Sequence, residues 1–310
     1  MILIIHPELA MAQPLLEQIA PCARLWELGD VAAFAAGDGA GVRALACIGG
    51  KPTDGALFAL FPKLEAVTAA GVGVDGVDLA AAQARGIKVC NSPGINTDDV
   101  ADLALGLLIA GERNILALHA LVRQGGWADA MSHAPRHRLR GRTLGILGMG
   151  AIGQAIATRA EAFGLSIIWH GPRPKPELAW PRVETVLDLA KRSDILALAC
   201  PLTSETRGCV NAQVLSALGK EGVLINVARG GVVDEAALLS ALRAKTILGA
   251  GLDVFAEEPT DKALWADLDN VVLTPHIAGR TRESVQEAIQ SALTNLSRLY
   301  RGEDLLHRVV

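Results

Sequence analysis

Short runs of apolar, largely β-branched residues recur along the chain, separated by segments with helical spacing. Ile2–Ile5, Arg43–Ile48, Leu64–Ala69 and Ile87–Cys90 form a first group. Thr143–Leu147, Ser166–Trp169, Ile195–Ala199, Gly222–Asn226, Gly249–Asp253 and Val271–Thr274 form a second. Apolar residues follow one another in these runs without alternation, as in parallel strands covered on both faces. The spacing predicts helices over Asp78–Arg85, Ile152–Phe163, Glu235–Ala244 and Glu283–Tyr300. Strand–helix repetition of this kind implies an α/β fold with parallel sheets. A long helical stretch, Asp98–Gln124, separates the two groups. It opens on the capping sequence Asn96-Thr97-Asp98-Asp99 and stops at Gly125-Gly126. The irregular segment Trp127–Arg142 then leads into the second group.

Composition narrows the class. A chain of 310 residues predicts two domains. Hydrophobic residues make up 51% and charged residues 20%, so the chain packs a core. Its 29 Lys and Arg against 33 Asp and Glu give a net charge of −4, which argues against a polyanion binder. With aromatics at 4%, stacking on single-stranded nucleic acid is also disfavoured. Five cysteines without a Cys-x-x-Cys suggest reduced thiols rather than disulfides or a zinc ribbon. The N-terminus lacks a basic stretch before its short apolar run, and Val100–Gly111 contains Asp102. The expectation is a cytoplasmic protein without membrane segments.

The most specific local signal is Gly148-Met149-Gly150-Ala151-Ile152-Gly153, between a predicted strand and a predicted helix. In that context Gly148 makes a tight turn, Gly150 lets a pyrophosphate approach the backbone, and Gly153 lets helix and sheet pack closely. The helix N-terminus adds free N–H groups for phosphate. At the end of the next strand a dinucleotide fold using NAD carries an acidic residue for the adenine ribose. Here the sequence is Trp169-His170-Gly171-Pro172-Arg173-Pro174-Lys175, without a carboxylate. Gly171 removes the repulsion that a 2′-phosphate would meet, and Arg173 offers it a cation, so NADP is expected over NAD. A solvated basic turn is the alternative reading of Arg173 and Lys175.

Three later segments, Asn226–Asp234, Gly251–Pro259 and Leu273–Gly279, join Gly71–Asp75 and Asn91–Thr97 in a family pattern. With the glycine turn they resemble the D-isomer-specific 2-hydroxyacid dehydrogenases, and among these the glyoxylate/hydroxypyruvate reductases. The resemblance covers nearly the whole chain. It implies two Rossmann-like or flavodoxin-like domains with the active site in the cleft between them. Residues 1–97 plus 284–310 would form the substrate-binding domain and 98–283 the dinucleotide-binding domain. It implies reduction of small 2-keto acids, with His276 as general acid, Glu258 as its partner and Arg229 on the substrate carboxylate. Histidine suits the acid because its ordinary pKa lies near neutral pH. The neighbouring Glu257 is the other candidate partner.

Backbone at Gly49, Gly50, Val72 and Gly73 would complete the substrate site. Cofactor contacts are expected at Thr97, Gly148, Met149, Gly150, Ala151, Ile152, Gly153, Gly171 and Arg173. They continue at Cys200, Pro201, Thr206, Val227, Ala228, Asp253, His276, Ala278 and Gly279, with Asp253 on the nicotinamide carboxamide. No residue cluster has metal-ligand spacing, and Pro135 spoils the pair His133 and His137. The resemblance also implies a homodimer through the Asp98–Gln124 helix and the Trp127 arm. An NAD-dependent relative such as a phosphoglycerate dehydrogenase, and a dinucleotide-sensing corepressor, are the alternatives.

Overall fold

Eleven strands pair exclusively in parallel and form two sheets in the computed structural model, which describes residues 1–310. Each sheet belongs to its own unit: Met1–Asn96 with Thr281–Val310, and Thr97–Arg280.

In the first unit the strands are β1 (Ile2–Ile4), β2 (Cys22–Arg24), β3 (Ala44–Cys47), β4 (Ala66–Ala69) and β5 (Lys88–Cys90), ordered β2-β1-β3-β4-β5. Leu3, Leu45, Val67 and Val89 pack on one face with Phe58 and Phe61. Ile2, Ile4, Ala44, Ala46 and Ala66 pack on the other with Leu296 and Leu299 of the last helix, Arg282–Arg301. Both faces are dry, which is why the apolar runs do not alternate. That helix starts with a capping box between Thr281 and Ser284. Near its end Tyr300 donates its hydroxyl proton to the Met1 carbonyl at 2.7 Å. The chain terminus pairs antiparallel with β5 through Cys90 and Arg308, covering that sheet edge.

In the second unit the strands are β6 (Thr143–Leu147), β7 (Ser166–His170), β8 (Ile195–Leu198), β9 (Val223–Asn226), β10 (Gly249–Leu252) and β11 (Val271–Leu273). Their order is β11-β10-β9-β8-β6-β7, and a single bridge between Trp169 and Arg182 extends the β7 edge. This is a doubly wound sheet whose order reverses between β6 and β8. Leu144, Ile146, Ile167, Ile195, Ala197 and Ile225 face helices Thr97–Glu112 and Ala151–Ala162. Leu147, Leu196, Leu198, Leu224 and Leu252 fill the opposite face.

The continuous helix expected over Asp98–Gln124 is two helices, Thr97–Glu112 and Ile115–Arg123, bent by 61°. Between them Asn114 takes a left-handed backbone at φ 49°, a conformation Asn tolerates better than most residues. The first helix is anchored at its end, where the fully buried Glu112 pairs with Arg142 just before β6. The Arg142 guanidinium also donates to the carbonyls of Asp194 and Glu221, so it ties the starts of β6, β8 and β9 together. The segment after Gly126, expected to be irregular, contains the short helix Trp127–Met131. No single helix is long and apolar enough to cross a membrane.

Candidate active site

The second unit presents its chemistry at the carboxyl ends of its strands. After β6 the chain turns at Gly148, whose φ is +97°. A Cβ there would lie 2.6 Å from the Cys200 nitrogen, so the turn presses on the loop after β8. Only glycine meets both demands. At Gly153 a Cβ would lie 2.1 Å from the Gly148 carbonyl oxygen, which brings the helix onto the turn. Gly150 differs: nothing lies within 4 Å of where its Cβ would be. It caps the helix Ala151–Ala162 without a side-chain hydrogen bond. The first-turn N–H groups of a helix lack partners within it, and here they meet an open cradle. That arrangement, at the reversal of strand order, fits a diphosphate.

Around this turn Met149 is buried, Ile152 half-buried and Ala151 exposed. Gly171, which directly follows β7, is buried and its carbonyl accepts from the Arg182 guanidinium. Arg173 is exposed. The Lys175 ammonium donates to the Met149 carbonyl at 2.8 Å, bringing a cation to the glycine turn. Past β8, the Thr206 hydroxyl closes a loop by donating to the Pro201 carbonyl at 2.7 Å. Cys200 is buried, and burial pushes its thiol up to about 12, so it stays protonated near neutral pH. Thr97, half-buried, begins the helix Thr97–Glu112.

Arg229, Glu258 and His276 follow β9, β10 and β11, three adjacent strands in register. Their loops are built to meet. Asn226, at 1% exposure, accepts from the Ala228 N–H and donates to the Arg229 carbonyl, folding the chain back directly after β9. A Cβ on Gly230 would lie 1.8 Å from the Phe255 carbonyl carbon. The loop carrying Arg229 thus touches the loop carrying Glu258 backbone to backbone. Val227 and Ala228 are buried beneath it.

Asp253, also 1% exposed, organises the third loop. Its carboxylate accepts from the Thr274 hydroxyl at 2.6 Å and from the Ile277 and Ala278 N–H groups at 2.9 Å. The His276 N–H donates to the Asp253 carbonyl at 2.8 Å. These bonds hold His276 at φ +54°, a left-handed conformation that is unusual for a residue with a Cβ. Gly279 follows, half-buried.

So placed, His276 meets Glu258 with Nδ1 to Oε2 at 2.6 Å, and Glu258 Oε1 accepts from the Phe255 N–H at 3.0 Å. The bond to Glu258 raises the His276 pKa above its ordinary 6.5, against opposition from burial and the Arg229 charge. For Glu258, burial would raise the carboxyl. The His276 hydrogen bond, the Phe255 N–H and the Arg229 charge outweigh it, and the net shift is downward. Imidazolium and carboxylate therefore coexist between these two pKa values. The pairing is lost as pH rises through the raised His276 value or falls through the lowered Glu258 value. Glu257 is exposed, and Glu258 is the residue that pairs.

In the first unit, Gly49 and Gly50 follow β3, and Val72 and Gly73 follow β4. Gly49 is buried so tightly that a Cβ would lie 1.9 Å from the Gly73 oxygen. Gly50 is exposed with open space around it. The Val72 carbonyl accepts from Asn91 Nδ2 at 2.7 Å.

Asn226, Thr274 and Lys175 contribute to these loops through roles that the sequence reading does not assign. A polar residue ending an apolar strand is the signal for Asn226 and Thr274. Lys175 carries none beyond its charge.

Comparison with known proteins agrees with this geometry. The profile for the D-isomer specific 2-hydroxyacid dehydrogenase, NAD binding domain, matches residues 105–278. A glyoxylate/hydroxypyruvate reductase of Arabidopsis thaliana is 41% identical over 269 residues, covering 87% of this chain and 86% of that protein. The solved structure of a 2-hydroxyacid dehydrogenase from Ketogulonicigenium vulgare superposes with a TM-score of 0.93. It is 38% identical, covering 100% of this chain and 98% of that one. An NADPH-dependent glyoxylate/hydroxypyruvate reductase from Sinorhizobium meliloti, solved with NADP and malonate, gives a TM-score of 0.90. It is 39% identical over 100% of this chain and 96% of that one.

Gly230→Ala tests how these loops meet. Overpacking at such a contact costs about 1–3 kcal/mol. The variant is expected to lose that much in urea unfolding and to lower the His276 pKa in an NMR titration. Wild-type stability and titration would show that the loops do not depend on this contact.

Proposed function

The chain belongs to the D-isomer-specific 2-hydroxyacid dehydrogenase family, and from that premise we propose that it reduces small 2-keto acids with NADPH. The substrates are glyoxylate, giving glycolate, and hydroxypyruvate, giving D-glycerate. The observation that carries this reading is the His276–Glu258 pair beside Arg229 at the ends of adjacent strands. The nicotinamide, when bound, supplies the hydride. His276 does the proton work. Its Nδ1 is held by Glu258, so Nε2 carries the proton given to the developing alkoxide. Glu258 fixes the ring and stabilises the imidazolium before transfer. Arg229 holds the substrate carboxylate, since a guanidinium matches carboxylate geometry. In the first unit, the N–H groups of Gly49, Gly50, Val72 and Gly73 are assigned to a substrate carboxylate.

The open cradle at Gly150 supports diphosphate binding by the turn Gly148–Gly153. Gly171 and Arg173 are assigned to the adenine ribose and its 2′-phosphate. Cys200, Pro201 and Thr206 are assigned to the adenosine side. Thr97, Val227, Ala228, Ala278 and Gly279 would line the remainder, and Asp253 would reach the nicotinamide carboxamide. A homodimer is supported by large apolar side chains left exposed along Ile115–Met131: Ile115, Leu116, Val122, Trp127 and Met131.

His276→Gln, Glu258→Gln and Arg229→Ala are each expected to lower kcat/KM for glyoxylate by about 10²–10⁴-fold. The wild-type rate of reduction should fall as pH rises through the raised His276 pKa, and Glu258→Gln should move that limb to lower pH. Near-normal turnover in His276→Gln would remove the acid assignment.

The cofactor preference is tested by steady-state kinetics. NADPH should be favoured over NADH by about tenfold, the worth of one charge-assisted contact, and Arg173→Ala should erase most of that. A preference for NADH would reject it.

Sedimentation should give about twice the chain mass of 32.4 kDa, and Trp127→Asp with Met131→Asp should shift it toward the monomer. A monomeric wild type would exclude the dimer.

A further inference from the structure

We propose that His6 is a positioning residue for the substrate, acting as the clasp that fixes the loop after β3. The inference rests on the assignment of the Gly49 and Gly50 amides to the substrate carboxylate, and it adds a residue that this assignment does not contain.

His6 lies two residues past the end of β1, an inner strand of the first sheet, and immediately before the short helical turn Pro7–Ala12. Its Nδ1 accepts from the Ile48 N–H at 3.0 Å, across 42 residues of sequence. Ile48 is the residue before Gly49, so the bond fixes the chain where the paired glycines begin. From there the loop is held against its neighbour. The Lys51 N–H bonds back to the Ile48 carbonyl at 2.9 Å, and the Gly76 N–H donates to the Gly49 carbonyl at 2.8 Å. A Cβ at Gly76 would lie 2.2 Å from the Lys51 oxygen, and one at Gly49 would strike Gly73. The loops after β3 and β4 are thus joined backbone to backbone. His6 is the side chain that ties the pair to the end of β1.

The bond requires a particular protonation state. An Nδ1 that accepts from an N–H carries no proton, so His6 is the neutral Nε2–H tautomer. The surroundings favour it. Burial first, and then the Lys51 ammonium, lower the His6 pKa, while the Pro52 backbone and Glu8 oppose them. Lys51 and Glu8 also pair with each other. These are the charged groups facing the ring, Glu8 from the turn Pro7–Ala12 and Lys51 from the loop. As pH falls through the lowered His6 value, Nδ1 takes up a proton and can no longer accept. The Ile48 N–H is released, and the Gly49–Gly50 amides lose their fixed orientation.

The consequence is a binding defect on the acid side, separate from the proton chemistry of His276 on the alkaline side. His6→Ala removes the clasp. His6→Asn keeps an acceptor at nearly the same place and cannot titrate. The experiment measures kcat and KM for glyoxylate and hydroxypyruvate from pH 5 to 9 in the wild type and both variants at saturating NADPH. NADPH binding by fluorescence and oxamate binding by calorimetry accompany it. His6→Ala should raise KM and weaken oxamate binding about tenfold, with kcat and NADPH affinity within twofold of wild type. In the wild type KM should rise toward acid pH, and in His6→Asn it should stay low and flat. Unchanged KM and oxamate affinity in His6→Ala, or an acid-side rise that persists in His6→Asn, would overturn the proposal. A wild type without 2-keto acid turnover would count against the proposed function instead, and oxamate binding would still report on the clasp.

Discussion

The hydrogen bond between His276 and Glu258 is the interaction on which the site depends, and much of the second unit is arranged around it. A carboxylate and an imidazole both partly open to solvent do not hold each other by attraction alone, because exposed ion pairs are weak. They meet because their backbones are fixed in advance. Asp253 uses its buried carboxylate to hold the His276 turn, including the left-handed backbone at His276 itself. Gly230 lets the preceding loop close on Phe255, whose N–H takes the second oxygen of Glu258. With geometry determined by buried bonds, the exposed pair spends little conformational entropy on forming, and its effect goes into shifting two pKa values apart.

The parallel sheet makes this economical. Strands that run in one direction bring all their carboxyl ends to one rim, so residues far apart in sequence become neighbours there. The same rim carries the glycine turn, where the order of strands reverses. A net charge of −4 describes the whole chain, while the rim gathers Arg229, Arg173 and Lys175, cations suited to small anions. Local placement of charge, and not the total, is what distinguishes this surface from that of a polyanion binder.

Much of the fold is legible in the chain because a doubly covered strand needs an uninterrupted apolar run. Thr143–Leu147 matches its predicted bounds, and the other predicted strands differ by a residue or two at their ends. The strand that escapes is β2, Cys22–Arg24, a short edge strand half-buried along its length and without an apolar run. The break after Glu112 escapes as well, since nothing in helical spacing announces that Asn114 turns left-handed. At the site, the position of Arg229, Glu258 and His276 at strand ends follows from the sequence. Their mutual distance does not, because it depends on long-range register and on contacts such as Gly230 with Phe255. The roles of Asn226, Thr274 and His6 are hidden for the same reason: each acts through a hydrogen bond that exists only once the chain is folded.

The most direct test is an NMR titration of the His276 ring in the wild type and in Glu258→Gln. The account predicts a wild-type pKa above the ordinary 6.5 and a clear fall in the variant, since the bond to Glu258 is the main cause of the rise. A His276 ring that titrates at or below 6.5 in the wild type, unmoved by Glu258→Gln, would contradict it.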